Sequence, residues 1–407
     1  MWEALLDSHS LAYRDEVREF VRRAPAALIR DMDADRVRYP REFVRDLGAA
    51  GLLGPRFSPS EGGRGLPWAA EMAALEEVGV LGTALGCAFA MPSIVGEALS
   101  RFGSERQRER YLQPMLRGEM VAAEALTEPR GGSDFFGATT VARREGDGFA
   151  LSGAKRFVVG AEGADFFLVY ARTDPAAPPH KSIGLFIVDR DAGVLVEHLY
   201  GLMGTRGGGT GRLVLRDVRV PPENVVGAPD QGGEIFNRMM VPERLTSAGG
   251  AIGTARAALE IAVRYSARRK AFGRHIREFQ GVSFRIADAV ARLDAARALA
   301  HAACAVVDSG RDPRRIVSEA KKVATETAWD VVNAAMQVMG GIGYTDVYPV
   351  ERLLRDARLM TIWTGTSEVM NLLVQHEYYR EVLERAPAAR DVEGDVREGG
   401  EGEKVYE

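Results

Sequence analysis

Apolar residues return at helical spacing across residues 11–29, with Val17, Phe20 and Val21 among them, and residues 42–53 repeat the pattern. Gly62-Gly63-Arg64-Gly65 interrupts it before a third helical stretch. Residues 104–116 predict a helix that opens on a serine N-cap and an acid. Near Thr139 the period changes to two. Glu145-Gly146-Asp147-Gly148 has the chemistry of a hairpin turn, and residues 166–171, 183–188 and 213–215 are short runs rich in strand formers. Residues 204–211 hold five glycines and predict a loop. From Gly232 the helical period returns; Ile286, Val290 and Leu293 share a face, which predicts a helical bundle as far as about Leu383. Helices, then strands, then helices predict an α+β chain in three segments: 1–123, 124–231 and 232–385. The remaining residues, 386–407, have almost no large apolar side chains and are expected to form a disordered polar tail.

Composition narrows the class. A chain of 407 residues with 46% apolar and 27% charged residues is ordinary for a soluble globular protein. The net charge of -4 equals the excess of seven acids over three bases in the tail, so the body is balanced. Such a body gives no electrostatic reason to expect nucleic acid or an anionic membrane as a partner. Two cysteines, Cys87 and Cys304, argue against a disulfide framework or a thiolate zinc site and fit a reducing, cytoplasmic location. Residues 78–96 carry no charge and are long enough to cross a bilayer. Their four glycines, Pro92, Thr83 and Ser93 favour instead a buried helix interrupted near Met91-Pro92. No Gly-Lys dipeptide and no Gly-x-Gly-x-x-Gly turn is present, so a dinucleotide held in the Rossmann manner is unsupported. His376-Glu377 begins like a zincin motif, but Arg380 stands where the second histidine belongs, and none of the six histidines clusters at metal-ligand spacing.

Five motifs in one order carry more information. They are Ala125-Leu126-Thr127-Glu128-Pro129 with Gly132-Ser133-Asp134, then Arg216-Asp217-Val218-Arg219-Val220-Pro221, then Arg269-Lys270-Ala271-Phe272-Gly273 with Phe279-Gln280. Gln337-Val338-Met339-Gly340-Gly341 follows, and last come Arg355-Asp356-Ala357 and Trp363-Thr364-Gly365-Thr366. Over most of its length the chain resembles the acyl-CoA dehydrogenase family of flavoenzymes. The resemblance implies a helical N-terminal domain, a central β-barrel-like antiparallel domain and a C-terminal four-helix bundle. It also implies an FAD cofactor, an acyl-CoA substrate, a homotetramer or dimer, and an electron-transfer flavoprotein as electron acceptor. By the same resemblance Leu126, Thr127 and Ser133 meet the flavin, and Ser133 also serves the acyl-CoA. Phe157 shields one ring face, and Val159 offers a backbone donor where the family commonly has a hydroxyl. Arg269, Phe272, Gln280, Gln337, Gly340 and Gly341 reach the FAD of a neighbouring subunit, while Thr366 and Glu368 correspond to residues that hold FAD.

One departure matters. The family removes a proton from the acyl Cα with a glutamate at the position of Thr364, and a threonine hydroxyl is no base near neutral pH. A subset of the family, including the isovaleryl-CoA and long-chain acyl-CoA dehydrogenases, carries that glutamate on an earlier helix, before an arginine. Pro242-Glu243-Arg244 matches this arrangement. Glu243 is accordingly the expected base and Arg244 a group that orients it or the CoA portion; the plainer reading is an acid beside a helix-kinking proline. The implied reaction takes the Cα proton while a hydride passes from Cβ to flavin N5. Other readings of the same fold are enoyl-CoA reduction, nitroalkane oxidation, oxygenation, or a non-catalytic acyl-CoA- or flavin-binding subunit.

Overall fold

The protein is described from a computed structural model, covering residues 2–384 and Asp395. The expected polar tail lies outside the described residues apart from Asp395.

The N-terminal segment holds α1 (Ser8–Arg23), α2 (Ala26–Asp33), α3 (Arg41–Ala49), α4 (Trp68–Gly79) and α5 (Thr83–Phe102). Asp7 caps α1 by accepting from Ser10 N at 2.7 Å. The single helix expected over residues 11–29 is two: Ala24 turns extended before Pro25, as a residue preceding proline is disfavoured in the helical region. The interruption expected at Met91-Pro92 is also absent there. Helix α5 runs through Pro92, and the break falls before it, at Val80–Gly82. Gly82 sits at φ +112°, where a Cβ would strike the Arg352 guanidinium and the Asp356 carboxylate, and that carboxylate accepts from Thr83 N at 3.0 Å. Helix α5 is long and apolar enough to cross a membrane, but 83% of its apolar window is buried against the rest of the molecule. The stretch after it is α6 (Glu105–Gln107), a π turn (Arg108–Leu112) and α7 (Gln113–Leu116). Ser104 and Gln107 close a reciprocal capping box at its start.

The middle segment is an eight-stranded sheet: β1 (Ala122–Ala125), β2 (Val141–Glu145), β3 (Gly148–Val158), β4 (Phe166–Arg172), β5 (Ile183–Asp189), β6 (Leu195–Leu199), β7 (Gly211–Val220) and β8 (Val225–Val226). Its order is β6-β7-β3-β2-β4-β5-β8, and the β2–β3 hairpin turns at Gly146-Asp147 as the sequence predicts. The sheet is not wholly antiparallel. Strand β1 pairs in parallel with β4, Glu124 opposite Leu168, and β2 meets β4 in parallel at Val141. Alternation sorts the side chains. Phe166, Leu168 and Tyr170 face the N-terminal helices, whereas Phe167, Val169, Phe186, Leu213 and Val218 form a core of their own inside the curled sheet.

Helices α8 (Gly232–Arg268), α9 (Gln280–Asp308), α10 (Arg314–Met339), α11 (Val350–Met360) and α12 (Ser367–Glu384) complete the chain. At 37 residues, α8 is about 55 Å long and spans the molecule. Its first turns pack Ile235 and Met239 against the sheet; Leu245, Ala248 and Ala255 then enter the bundle core with α9 and α10. One helix therefore joins both domains, and residue 243 falls where it passes from one to the other.

Candidate active site

Glu243 arises on α8 at that passage and is partly buried. Its carboxyl is in hydrogen-bonding contact with a second one, Glu124 of β1. Burial pushes both carboxyls above the ordinary range, and the like charges of the pair oppose ionising both. Glu124 was not expected at the site.

The Thr364 turn reaches the same region from α11. Trp363 Nε1 donates to Ser247 Oγ at 2.7 Å, and Ser247 lies one helical turn after Glu243, on the same face of α8. Lys321 of α10 is fully buried and donates to Gly365 O at 2.6 Å; burial lowers its ammonium to about 7. Thr366 Oγ1 accepts from Val369 N at 3.2 Å and so starts α12. Thr364 itself is left-handed, φ +50°, with its buried Oγ1 unpartnered. The Trp363–Ser247 bond thus ties the Thr364 turn to the stretch of α8 that carries Glu243, and of residues 243 and 364 only Glu243 is a carboxylate.

Arg244 does not hold Glu243 directly. Its Nη1 donates to Ser318 Oγ of α10 at 3.2 Å, and burial with the neighbouring Arg314 charge lowers it to about 10.

The loop after β1 is fixed by a buried ion pair. Glu128 accepts from Lys155 Nζ at 2.8 Å, from Thr139 N and Oγ1 at 2.6 Å each, and from Thr140 N at 2.9 Å. Burial opposes both charges, yet these donors hold Glu128 at about 2. Lys155 is pulled down by its own burial, although Glu128 and, more weakly, Glu124 oppose this; the four donors on Glu128 decide that the pair is ionised. Arg156 N then donates to Thr127 O at 2.8 Å, tying the loop to β3. Leu126, Thr127 and Val159 are half-buried around this junction, and Ser133 is exposed. Phe157 is 49% exposed at φ +57°, its ring 4.9 Å from that of Tyr200.

A second group lies away from this junction. Arg269, Gly340 and Gly341 line one cleft of about 750 Å³ with Tyr265, Ile276 and Met339. Phe272, on the turn between two short paired strands, is 94% exposed and also left-handed. Gln280 and Gln337 are exposed, as is Glu368 near the start of α12. Phe272, Gln280 and Gln337 do not line the cleft.

These surroundings fit FAD. Gly340 and Gly341 leave open the space a Cβ would take, so backbone can approach a diphosphate. The exposed Arg269 guanidinium has a fork suited to that diphosphate. Thr364 Oγ1, Ser367 Oγ and Arg156 Nε are buried polar atoms without partners.

Family models describing the N-terminal, middle and C-terminal domains of acyl-CoA dehydrogenase match residues 7–119, 123–218 and 230–378. The chain belongs to the acyl-CoA dehydrogenase family. It is 36% identical to a 3-(aryl)acrylate reductase of Clostridium sporogenes over 83% of this chain and 89% of the relative. It is 34% identical to the short-chain specific acyl-CoA dehydrogenase of Clostridium acetobutylicum, over 90% of this chain and 97% of the other. Butyryl-CoA dehydrogenase from Megasphaera elsdenii superimposes with a TM-score of 0.89 at 30% identity, covering 92% of this chain and 99% of that one. As an acyl-CoA dehydrogenase the chain is an FAD-dependent oxidoreductase. Motif reading singled out neither Glu124, Lys155, Ser247 nor Lys321. Only Glu124 left a signal, a lone acid among small apolar residues in Ala122–Ala125.

Proposed function

We propose that this acyl-CoA dehydrogenase uses Glu243 as the base that removes the Cα proton of an acyl-CoA thioester. The observation that supports it most is the pairing of positions: the Trp363–Thr364 turn is anchored to the Glu243 face of α8 through Ser247 and brings no carboxylate with it. Bound FAD supplies the acceptor for the Cβ hydride. The chain's own residues do the rest. Glu243 is raised by burial toward the proton affinity a useful base needs. Trp363, Lys321 and Ser247 fix the opposite wall of the pocket, and the ion pair of Glu128 with Lys155 holds the loop that carries Leu126 and Thr127. Arg244 is a brace between α8 and α10, with Nε left over. Electrons leave to an electron-transfer flavoprotein, and the working unit is a dimer or tetramer in which Arg269, Phe272, Gln280 and Gln337 meet the FAD of a neighbouring copy.

Anaerobic bleaching of the flavin by a panel of straight, branched and aryl-substituted acyl-CoAs tests the base. Glu243→Gln should slow bleaching at least ~100-fold, the lower end of general-base catalysis, with acyl-CoA binding retained. Thr364→Ala should change it little. A Glu243→Gln protein that bleaches at the wild-type rate would remove the assignment.

A second reading has a specific observation behind it, the likeness to a 3-(aryl)acrylate reductase. A carboxyl whose proton affinity is raised by burial is equally placed to return a proton to Cα, so the same site would reduce an enoyl thioester. Dithionite-reduced protein mixed with cinnamoyl-CoA distinguishes the directions: rapid flavin reoxidation, with slow bleaching by the saturated thioester, assigns reduction.

A further inference from the structure

Strand β1 alternates. Ala123 and Ala125 enter the inner core of the sheet, whereas Ala122 and Leu126 belong with the core facing the N-terminal helices. Glu124 stands between those two apolar positions, an acid where the pattern calls for an apolar side chain, and meets Glu243 there. With both carboxyls ionised, buried Oε1 of Glu124 has no donor. The contact becomes a hydrogen bond only when the pair holds a proton. The charged and titratable groups around it do not remove that need. Arg244 on α8 donates to Ser318, and Lys155 on β3 to Glu128 and Leu126 O. Tyr170 on β4 donates to Met239 Sδ at 2.9 Å, and its phenol is also in hydrogen-bonding contact with the Glu124 carboxyl, yet Oε1 stays without a donor; burial keeps that phenol and the Cys87 thiol of α5 neutral. Asp356 of α11 lies beyond Cys87, and Arg314 and Lys321 of α10 beyond Arg244.

We propose that Glu124 and Glu243 share one proton and act as a single base, with Glu124 the positioning residue that holds the Glu243 carboxyl toward the sheet. The proposal rests on Glu243 being the base. In the working form both carboxyls are ionised. As the Cα–H bond breaks, its proton becomes the one the pair shares, leaving the pair with a single negative charge. The Cβ hydride goes to FAD, the only oxidant required, and the C–H electrons of Cα form the new double bond. A pair of like groups in contact gives up its last proton at higher pH than either would alone, so the base is stronger than a lone buried glutamate.

The test uses holoenzyme and the acyl-CoA of the panel that bleaches it fastest. In wild type, the rate of bleaching should rise along a limb displaced upward from the ordinary carboxylate range. Glu124→Gln removes the like charge and leaves a permanent donor for Glu243, so the limb should move down by at least one pH unit, with a slower plateau. Glu124→Leu restores the apolar pattern of β1 and should move it in the same direction; it serves should the glutamine variant fold poorly. A second readout needs no turnover. Groups whose folded pKa is raised contribute stability fully below their unfolded value, about 4.3 for glutamate, and lose it as pH rises through the folded value. Wild-type melting temperature should therefore fall across that interval and Glu124→Leu should flatten the fall. An unmoved limb and an unflattened melting profile in both variants, with Glu243→Gln inactive, would overturn the shared proton and leave the base reading standing. An active Glu243→Gln would overturn both.

Discussion

Glu128, buried, and Glu124, half-buried, lie four residues apart at the edge of the site, yet their environments shift them in opposite directions. Glu128 has four donors within 3 Å and is held ionised at about 2. Glu124 meets a second carboxyl, and burial beside it raises its proton affinity. The pH dependence of stability should therefore have two limbs of opposite sign. A lowered carboxyl contributes stability above its unfolded value, about 4.3, and loses it as pH falls toward 2. Glu128→Gln should abolish the acid-side limb and leave the other intact. It should also cost about 3–5 kcal/mol at neutral pH, because Lys155 stays buried with its anion removed. Melting temperature followed from pH 3 to 9 checks both. Neither role is written in the residue type: the Thr-Glu-Pro motif marks a loop, and Lys155, 27 residues later on β3, supplies the partner that makes it rigid.

At the scale of elements, the position of Glu243 depends on how closely α8 lies on α4. A Cβ on Gly253 would come within 2.3 Å of Glu76 O, and one on Gly79 within 2.6 Å of Gly250 O. The helices touch through backbone. Gly253→Ala should accordingly destabilise by about 1–3 kcal/mol through overpacking, outweighing the roughly 1 kcal/mol gained in helix propensity. Gly250, three residues earlier, has open space at its Cβ, and Gly250→Ala should be neutral or stabilising. Denaturant midpoints of the two variants decide the point; equal effects would mean that the contact does not carry the packing. The periodicity foretold these helices, including the long one beginning at Gly232, but not every boundary. Pro25 ended a helix and Pro92 did not. Each proline removes the same amide donor; what differs is the packing around it, since α5 is clamped along its length in the core and α1 meets solvent at its end. Strands β1 and β6 went unseen for a related reason. Ala-Ala-Glu-Ala has little strand propensity, and its pairing with β4, more than forty residues later, is what makes it a strand.

At the scale of the whole molecule, the cleft of Arg269, Gly340 and Gly341 is lined by none of the residues around Glu243, and the surface beside it is unusually apolar. Phe272, Phe284, Tyr344 and Val347 are all exposed, at 94, 64, 80 and 66%. On the proposed reading, a second copy of the chain with a shared FAD would cover such a surface. Arg269→Ala then removes a charge-assisted contact worth about 1.5–3 kcal/mol, and FAD should be released roughly 10- to 100-fold more readily. Phe272→Asp should lower oligomer mass and FAD content together. Light scattering with flavin quantitation on the same samples is the measurement; loss of FAD without loss of assembly in Phe272→Asp would contradict the shared site. By itself the sequence determined the order of helices, strands and helices and the family, and it raised the proposal that an acid at 243 stands in for one at 364, because each is carried by local pattern or by motif. Tertiary structure alone decided that Glu243 has Glu124 for a neighbour, that Arg244 turns to Ser318, and that Lys321 and Ser247 fix the turn of Thr364. Those relations join residues 44 to 119 positions apart in the chain. Proton affinity and burial depend on which groups are close in space, and that is set only once the sheet, α8 and α10 have packed together.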